Sequence, residues 1–291
     1  MKYTRRSFFK TSGALASGLA LGSMSFLKSC APAGNEYGPF GVQLYTLRHV
    51  IGDDPEGVIS QVADFGYKQI ESYEGQLGMF WGMGNTAFKS FLDDLGLTMV
   101  STHANVFQDY ERKVEELAAI GVPNIVCPWI GPQESIDAYK EMAENFNRFG
   151  EIANNAGIKF AYHNHAYTFE ELEGEIPQEV LMDETDSNLV EYQMDIYWVV
   201  AGGHDPIDWV RRYPGRFTSC HIKDLATTNG ETESVTLGTG TIDFPTVLAA
   251  AKENGMEYLL VEQEAYEGTT PLDAVRDNAE YMRNLEVIRR G

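Results

Sequence analysis

Residues 157–165 read Gly157-Ile158-Lys159-Phe160-Ala161-Tyr162-His163-Asn164-His165. A glycine suited to stopping a helix is followed by an apolar run, and the run ends in two histidines. Side chains alternate along a strand, so His163 and His165 share a face at its carboxyl end. The same pattern recurs downstream. Asp195 closes Val190-Glu191-Tyr192-Gln193-Met194, His221 and Lys223 close Phe217-Thr218-Ser219-Cys220, and Glu262 and Glu264 close Tyr258-Leu259-Leu260-Val261.

Working outward, strand patterns are expected near 41–45, 67–72, 97–102, 124–129, 158–163, 191–196, 217–222 and 258–263, with helical patterns between them. Asp54-Pro55, Asp205-Pro206, Asp243-Phe244-Pro245 and Thr270-Pro271 mark helix starts, because proline suits the first turn. Gly66, Gly96, Gly121, Gly157 and Gly255 mark helix ends. Eight alternating β/α units with no internal linker predict one eight-stranded parallel (β/α)8 barrel, an α/β TIM barrel, over residues 39–291. An open doubly wound sheet would want a glycine-rich turn after the first strand, and Leu44-Tyr45-Thr46-Leu47-Arg48 has none. The glycines at 78–84 carry no phosphate-loop lysine and are expected to form a mobile loop.

The first thirty residues read as an address. Arg5-Arg6-Ser7-Phe8-Phe9-Lys10 looks like a twin-arginine export signal, and the small-residue stretch after it is too mild for a membrane span. Leu27-Lys28-Ser29-Cys30 resembles a lipoprotein cleavage box, with Cys30 the candidate for lipid attachment and Lys28 a departure from the usual small residue. Residues 31–38 read as a tether. The expected location is the periplasm, as a free or lipid-anchored protein; a cytoplasmic protein with a basic N-terminus is the alternative.

The chain carries a net charge of −21, and losing Lys2, Arg5, Arg6, Lys10 and Lys28 would leave −26. Such a body repels nucleic-acid phosphates and disfavours a phosphorylated substrate. Arg48 and Arg276 are the candidate phosphate grips, but no basic cluster accompanies them. With only Cys127 and Cys220 beyond Cys30, buried free thiols are expected rather than a disulfide framework.

In a barrel of this kind, chemistry sits at the carboxyl ends of the strands. The polar residues there are Gln43, Glu71, His103, Asn105, Trp129, His163, His165, Asp195, His221, Lys223, Glu262 and Glu264. Two imidazoles and two carboxylates suit Mn²⁺, Co²⁺ or Zn²⁺ better than Ca²⁺; buried core histidines are the bland alternative. Lys223 fits oxyanion stabilisation, a base, or a salt bridge to Asp224 or Glu264. Glu264 and Glu71 are spare carboxylates, and His165 and His103 with Asn105 are candidates for binding hydroxyls or moving protons. Trp81, Trp129 and Trp198 offer faces for sugar stacking or for packing.

Taken together, Tyr162-His163-Asn164-His165, Met194-Asp195-Ile196-Tyr197-Trp198, Asp205-Pro206, His221-Ile222-Lys223-Asp224, Gly238-Thr239-Gly240-Thr241-Ile242-Asp243-Phe244 and Val261-Glu262-Gln263 resemble the xylose-isomerase-like superfamily, in its sugar phosphate isomerase/epimerase branch. The His-x-Lys-Asp and Tyr-His-x-His elements are also similar to inosose dehydratase. The resemblance implies one divalent metal, Mn²⁺ first and Co²⁺, Zn²⁺ or Mg²⁺ next, held by His163, Asp195, His221 and Glu262. It implies catalytic roles for Glu262, Lys223, His165 and Glu264, and substrate contacts from Glu71, His103, Asn105, Trp129 and Trp198. His163 stands where the epimerases carry a Glu that is also an acid/base group, which weakens a symmetrical two-base epimerisation. The expected activity is proton abstraction beside a carbonyl of a neutral or oxidised sugar. Isomerisation or epimerisation is one outcome, and elimination from a keto sugar such as a 3-keto-glycoside is the other. A non-catalytic sugar-binding lipoprotein and an abasic-site endonuclease are the rivals, the second opposed by the charge.

Overall fold

The computed structural model describes residues 38–285 apart from position 229. The export signal, Cys30 and most of the tether expected from the sequence lie outside the described residues. Eight parallel strands close into a barrel: β1 (Gly41–Gln43), β2 (Gln69–Tyr73), β3 (Thr98–His103), β4 (Asn124–Cys127), β5 (Lys159–His163), β6 (Val190–Asp195), β7 (Phe217–Ile222) and, last in sequence, β10 (Tyr258–Val261) beside β1. A hairpin of β8 (Asp224–Thr228) and β9 (Glu231–Val235) follows β7. The helices are α1 (Pro55–Asp64), α2 (Asn85–Leu95), α3 (Tyr110–Ala118), α4 (Ile136–Asn155), α5 (Pro177–Asp183), α6 (Ile196–Ala201), α7 (Pro206–Arg212), α8 (Phe244–Glu253) and α9 (Pro271–Asn284).

The predicted punctuation is where the backbone turns. Asp54, Asp205, Asp243 and Thr270 cap their helices by accepting backbone N–H bonds, with proline just inside. Gly96 ends α2 in the left-handed conformation, φ 67°, which a Cβ would strain. All eight predicted strands form, with ends displaced by at most two residues and the 217–222 strand matching at both ends. The first is shorter than expected because Leu44–Leu47 coils into a 3-10 turn that Gln43 caps. The hairpin was not expected.

Two further expectations are corrected. The 78–84 segment, expected as a mobile loop, is packed against the barrel. Its Met79, Phe80 and Trp81 are buried, Ser72 Oγ donates to the Met79 carbonyl at 2.7 Å, and Trp81 Nε1 donates to Ser72 Oγ at 3.1 Å. Large apolar side chains between the glycines have packed down, so Trp81 is a core residue and not a stacking face.

Strand register stacks the polar residues in layers. Gln43 aligns with Glu71 and Glu71 with Ser101; His163 aligns with Gln193, and Asp195 with His221. The register slips between Ile70 and Glu71 and again between Tyr192 and Gln193. Such irregularities re-aim side chains, and here they fall on two residues at the centre of the site.

Candidate active site

Glu71 is the hub beneath the barrel mouth, with no exposed surface. Its Oε1 accepts from Gln43 Nε2 at 2.7 Å and His221 Nε2 at 2.6 Å, and its Oε2 from Ser101 Oγ at 2.6 Å and Gln193 Nε2 at 2.7 Å. Burial alone would raise its pKa, but His103, His221 and these hydrogen bonds hold it below the usual carboxylate value. Glu71 is therefore sealed below the cavity and occupied by other side chains. The expectation that it contacts substrate, or serves as a spare proton acceptor, is corrected on that ground.

Because Gln193 gives its amide N–H to Glu71, its Oε1 faces the histidines. It lies 2.7 Å from His103 Nε2 and 2.9 Å from His163 Nδ1. An amide oxygen only accepts, so both nitrogens carry protons. Burial and the neighbouring histidines press His163 well below its ordinary pKa, so the ring is neutral. Its Nε2 is then a bare lone pair, 3.8 Å from Asp195 Oδ2.

Asp195 ends β6 and caps α6, with Oδ1 accepting from Trp198 N at 3.1 Å. Its other oxygen, Oδ2, is buried without a hydrogen-bond partner. Oδ2 lies 3.9 Å from His221 Nδ1 and 3.6 Å from Lys223 Nζ, and His221 Nδ1 is 3.1 Å from Glu262 Oε2. Burial, and the Glu262 carboxylate working against Lys223, push Asp195 up to about 6. Ligand atoms of Asp195, His221 and Glu262 all fall within 4.8 Å of one another, and so do those of His103, His163 and His221.

This donor set fits a divalent cation. Glu71, Asp195, Glu262 and Glu264 bring four carboxylates against two cations, Lys223 and the His221 imidazolium, so two negative charges stay uncompensated. Burial would lower His221, yet Glu262 and Glu71 raise it to about 10. Its Nε2 contact with Glu71 would leave Nδ1 as the candidate ligand atom once a cation displaced the Nδ1 proton now directed at Glu262, in the carboxylate–histidine arrangement that orients metal ligands.

Lys223 Nζ donates to Glu264 Oε1 at 2.7 Å and Glu262 Oε2 at 3.3 Å, and lies against the rings of Tyr197 and Trp198. Burial would lower its pKa, but Asp195, Glu262 and Glu264 raise it instead, so it is held as an ammonium. Of the roles expected for it, a neutral-amine base is the one this environment opposes.

Above this floor opens a cavity of about 990 Å³. Its lining includes His103, His163, His165, Glu262, Glu264 and Trp198, together with Tyr45, Tyr73, Phe107 and Trp129. His165 is neutral, pushed down to about 3 by burial and Lys223. Its Nδ1 and the Trp198 Nε1 are buried without partners. Asn105 lines the cavity, but its Oδ1 is taken by Phe107 N at 3.1 Å. Arg48 is tied to the carbonyls of Tyr45 and Glu264, and Arg276 to Asp273 and Asp277. Neither arginine lines the cavity.

The His-x-Lys-Asp and Gly-Thr-Gly motifs meet in one structural device. The buried Asp224 carboxylate accepts from the backbone N–H groups of Leu225, Gly238, Gly240 and Ile242, at 2.8–3.3 Å. A Cβ on Gly240 would fall 2.3 Å from Asp224 Oδ1. The hairpin between them sends Ser234 Oγ to accept from Glu264 N at 2.7 Å, fixing that carboxylate's backbone.

Sequence reasoning passed over Gln193, Ser101, Glu74 and the cavity tyrosines. Gln193 and Ser101 each stand two residues before a strand-end site residue, Asp195 and His103, so strand parity marks them. Asn229-Gly230 between alternating residues is the signal for the missed hairpin.

The family model described as xylose isomerase-like TIM barrel matches residues 59–285, and the chain belongs to that family. Among curated relatives, inosose dehydratase from Clostridium perfringens is 31% identical over 144 residues, covering 44% of this chain and 48% of the relative. Inosose dehydratase from Geobacillus kaustophilus is 27% identical over 222 residues, covering 64% and 70%. The chain thus spans about half the length of the first of these and more of the second. A crystal structure of a sugar phosphate isomerase/epimerase from Parabacteroides distasonis superposes with a TM-score of 0.74 at 28% identity, covering 90% of this chain and 98% of that one.

Proposed function

We propose that the protein is a divalent-metal-dependent carbohydrate enzyme that removes a proton beside a substrate carbonyl. The observation that carries this reading is the run of close approaches from His163 Nε2 to Asp195 Oδ2, from Asp195 Oδ2 to His221 Nδ1 and from His221 Nδ1 to Glu262 Oε2, at 3.8, 3.9 and 3.1 Å, with Asp195 Oδ2 lacking any hydrogen-bond partner. These four residues would hold the metal, Mn²⁺ by preference. Bound there, it would act as a Lewis acid toward a sugar carbonyl.

The chain's own groups supply the rest. Glu264 lines the cavity and is positioned to accept the C–H proton. Lys223, an ammonium buried against Glu262 and Glu264 and not itself lining the cavity, offsets negative charge developing at the floor through space. His165 and Trp198 line the cavity and offer ring surface to the sugar. With no lysine or arginine among the lining residues, the substrate is a neutral or oxidised sugar rather than a phosphosugar.

If the proton returns to the neighbouring carbon or the opposite face, the outcome is isomerisation or epimerisation. The likeness to inosose dehydratases favours elimination: the C–H electron pair becomes a C=C bond, the C–O bond to the leaving group breaks, and that oxygen leaves protonated. His163 favours the same outcome. Its Nδ1 is committed to Gln193, and it offers no carboxylate for a second base.

The test is incubation of Mn²⁺-loaded enzyme with ketoses, aldoses and 3-keto-glycosides in D₂O, read by NMR after chelation. Substrate deuteration or an unsaturated product is expected, and Glu264→Gln should abolish it while the metal stays bound. Binding without deuteration or product across the panel would favour the non-catalytic sugar-binding reading. Arg5-Arg6 and Cys30 further support a proposal that the enzyme works outside the cytoplasm on an exported lipoprotein scaffold.

A further inference from the structure

We infer that the substrate is a glycoside whose second, uncharged ring rests on Phe107 and Trp129; the inference builds on the carbohydrate reading above. The cavity is divided by chemistry. Every candidate ligand or proton-transfer group that lines it, other than His103, comes from the ends of β5, β6 and β10, as His163, His165, Trp198, Glu262 and Glu264. The residues that follow β1–β4 bring Tyr45, Tyr73, Phe107 and Trp129 to the lining, beside Glu74, Asn105 and Gln108.

At about 990 Å³ the space lies at the top of the roughly 300–1,000 Å³ range of small-molecule sites. A single sugar held at the β5–β10 side leaves the aromatic half unfilled. Phe107 is 50% exposed and Trp129 52%, large values for such side chains at a cavity rim. Both are held by neighbouring rings. Trp129 meets His165 and Tyr167 edge-on at 4.6 and 4.8 Å, and Phe107 meets Phe149 at 5.6 Å. A face held rigid before binding stacks a ring at low entropic cost.

Charge decides what kind of ring. The lining residues include no lysine or arginine, and the nearest carboxylate, Glu74, is already paired with Lys113, so nothing there would hold a phosphate or carboxylate on the second group. A sugar or aryl ring with an apolar face fits.

The experiment uses Mn²⁺-loaded full-length protein and three probes, methyl β-glucoside, phenyl β-glucoside and cellobiose, with the matching galactosides and xylosides, by calorimetry. For at least one sugar, a two-ring probe should bind about tenfold more tightly than its methyl glycoside. Which two-ring probe gains more tells an aryl group from a second sugar. Trp129→Ala with Phe107→Ala should collapse the ratio toward one with metal content unchanged; the ratio rather than the absolute affinity is the readout, because Trp129 also touches His165. Equal affinities in the wild type, or a ratio that survives the double variant, would overturn the inference while the carbohydrate reading stood. No binding of any glycoside by metal-loaded protein would bring down both.

Discussion

Gln193 has one donor group and one acceptor, and both are committed. Its N–H goes to Glu71 and its oxygen to His103 and His163. A leucine of similar bulk would leave a buried carboxylate short of a donor and free the His163 ring to turn or change tautomer. Gln193→Leu should therefore weaken Mn²⁺ binding about 10–100-fold and cost about 1–3 kcal/mol of stability. Calorimetric metal titration beside a urea melt checks both. Unchanged metal affinity would show that the amide does not set the ring. His163, His165, Asp195, His221, Lys223, Glu262 and Glu264 were legible in the sequence because each closes an apolar run. Gln193 and Ser101 were not, because a polar residue inside a strand reads as an interruption until register shows what it faces.

At the scale of elements, loops rather than strands separate reading from structure. Alternation and capping residues placed all eight barrel strands and most helix starts. They did not place the β8–β9 hairpin, whose residues are mostly polar, nor the packing of 78–84, which depends on what lies beneath it.

Two loop devices can be tested. Lys113, buried on α3, donates to Glu74 Oε2 at 2.6 Å and to the Asn105 carbonyl at 2.8 Å, and Glu74 Oε2 also accepts from Asn105 N. This latch holds the loop that carries Phe107. Glu74→Ala strands a buried ammonium, whereas Lys113→Met leaves a carboxylate that still reaches water. Glu74→Ala should therefore be the more destabilising in urea unfolding; the reverse order would contradict the latch. Gly240→Ala drives a Cβ into Asp224 and should cost about 1–3 kcal/mol. An unchanged melting point would mean the motif is not packed around that carboxylate.

At the scale of the whole molecule, a net charge of −21 and a mouth without basic lining residues point the same way. Millimolar inorganic phosphate should neither protect the protein thermally nor compete with a sugar ligand; competition would demand a cation site among the mouth residues. Fractionation of cells should find the mature chain beyond the cytoplasmic membrane, and Cys30→Ser should release it from the membrane fraction if that thiol carries lipid.

The barrel itself was legible because eight repeats of one pattern admit few closures. The uncompensated charge at its centre was not, since it depends on which carboxylates share a neighbourhood. Metal analysis of protein purified without chelator probes that charge, comparing wild type with Asp195→Asn, which keeps the side chain's shape and an oxygen to cap α6. The expectation is about one divalent ion per chain in the wild type and little or none in the variant, with both folded. A folded wild type that takes up no divalent ion at millimolar Mn²⁺, or a variant that retains full occupancy, would contradict it.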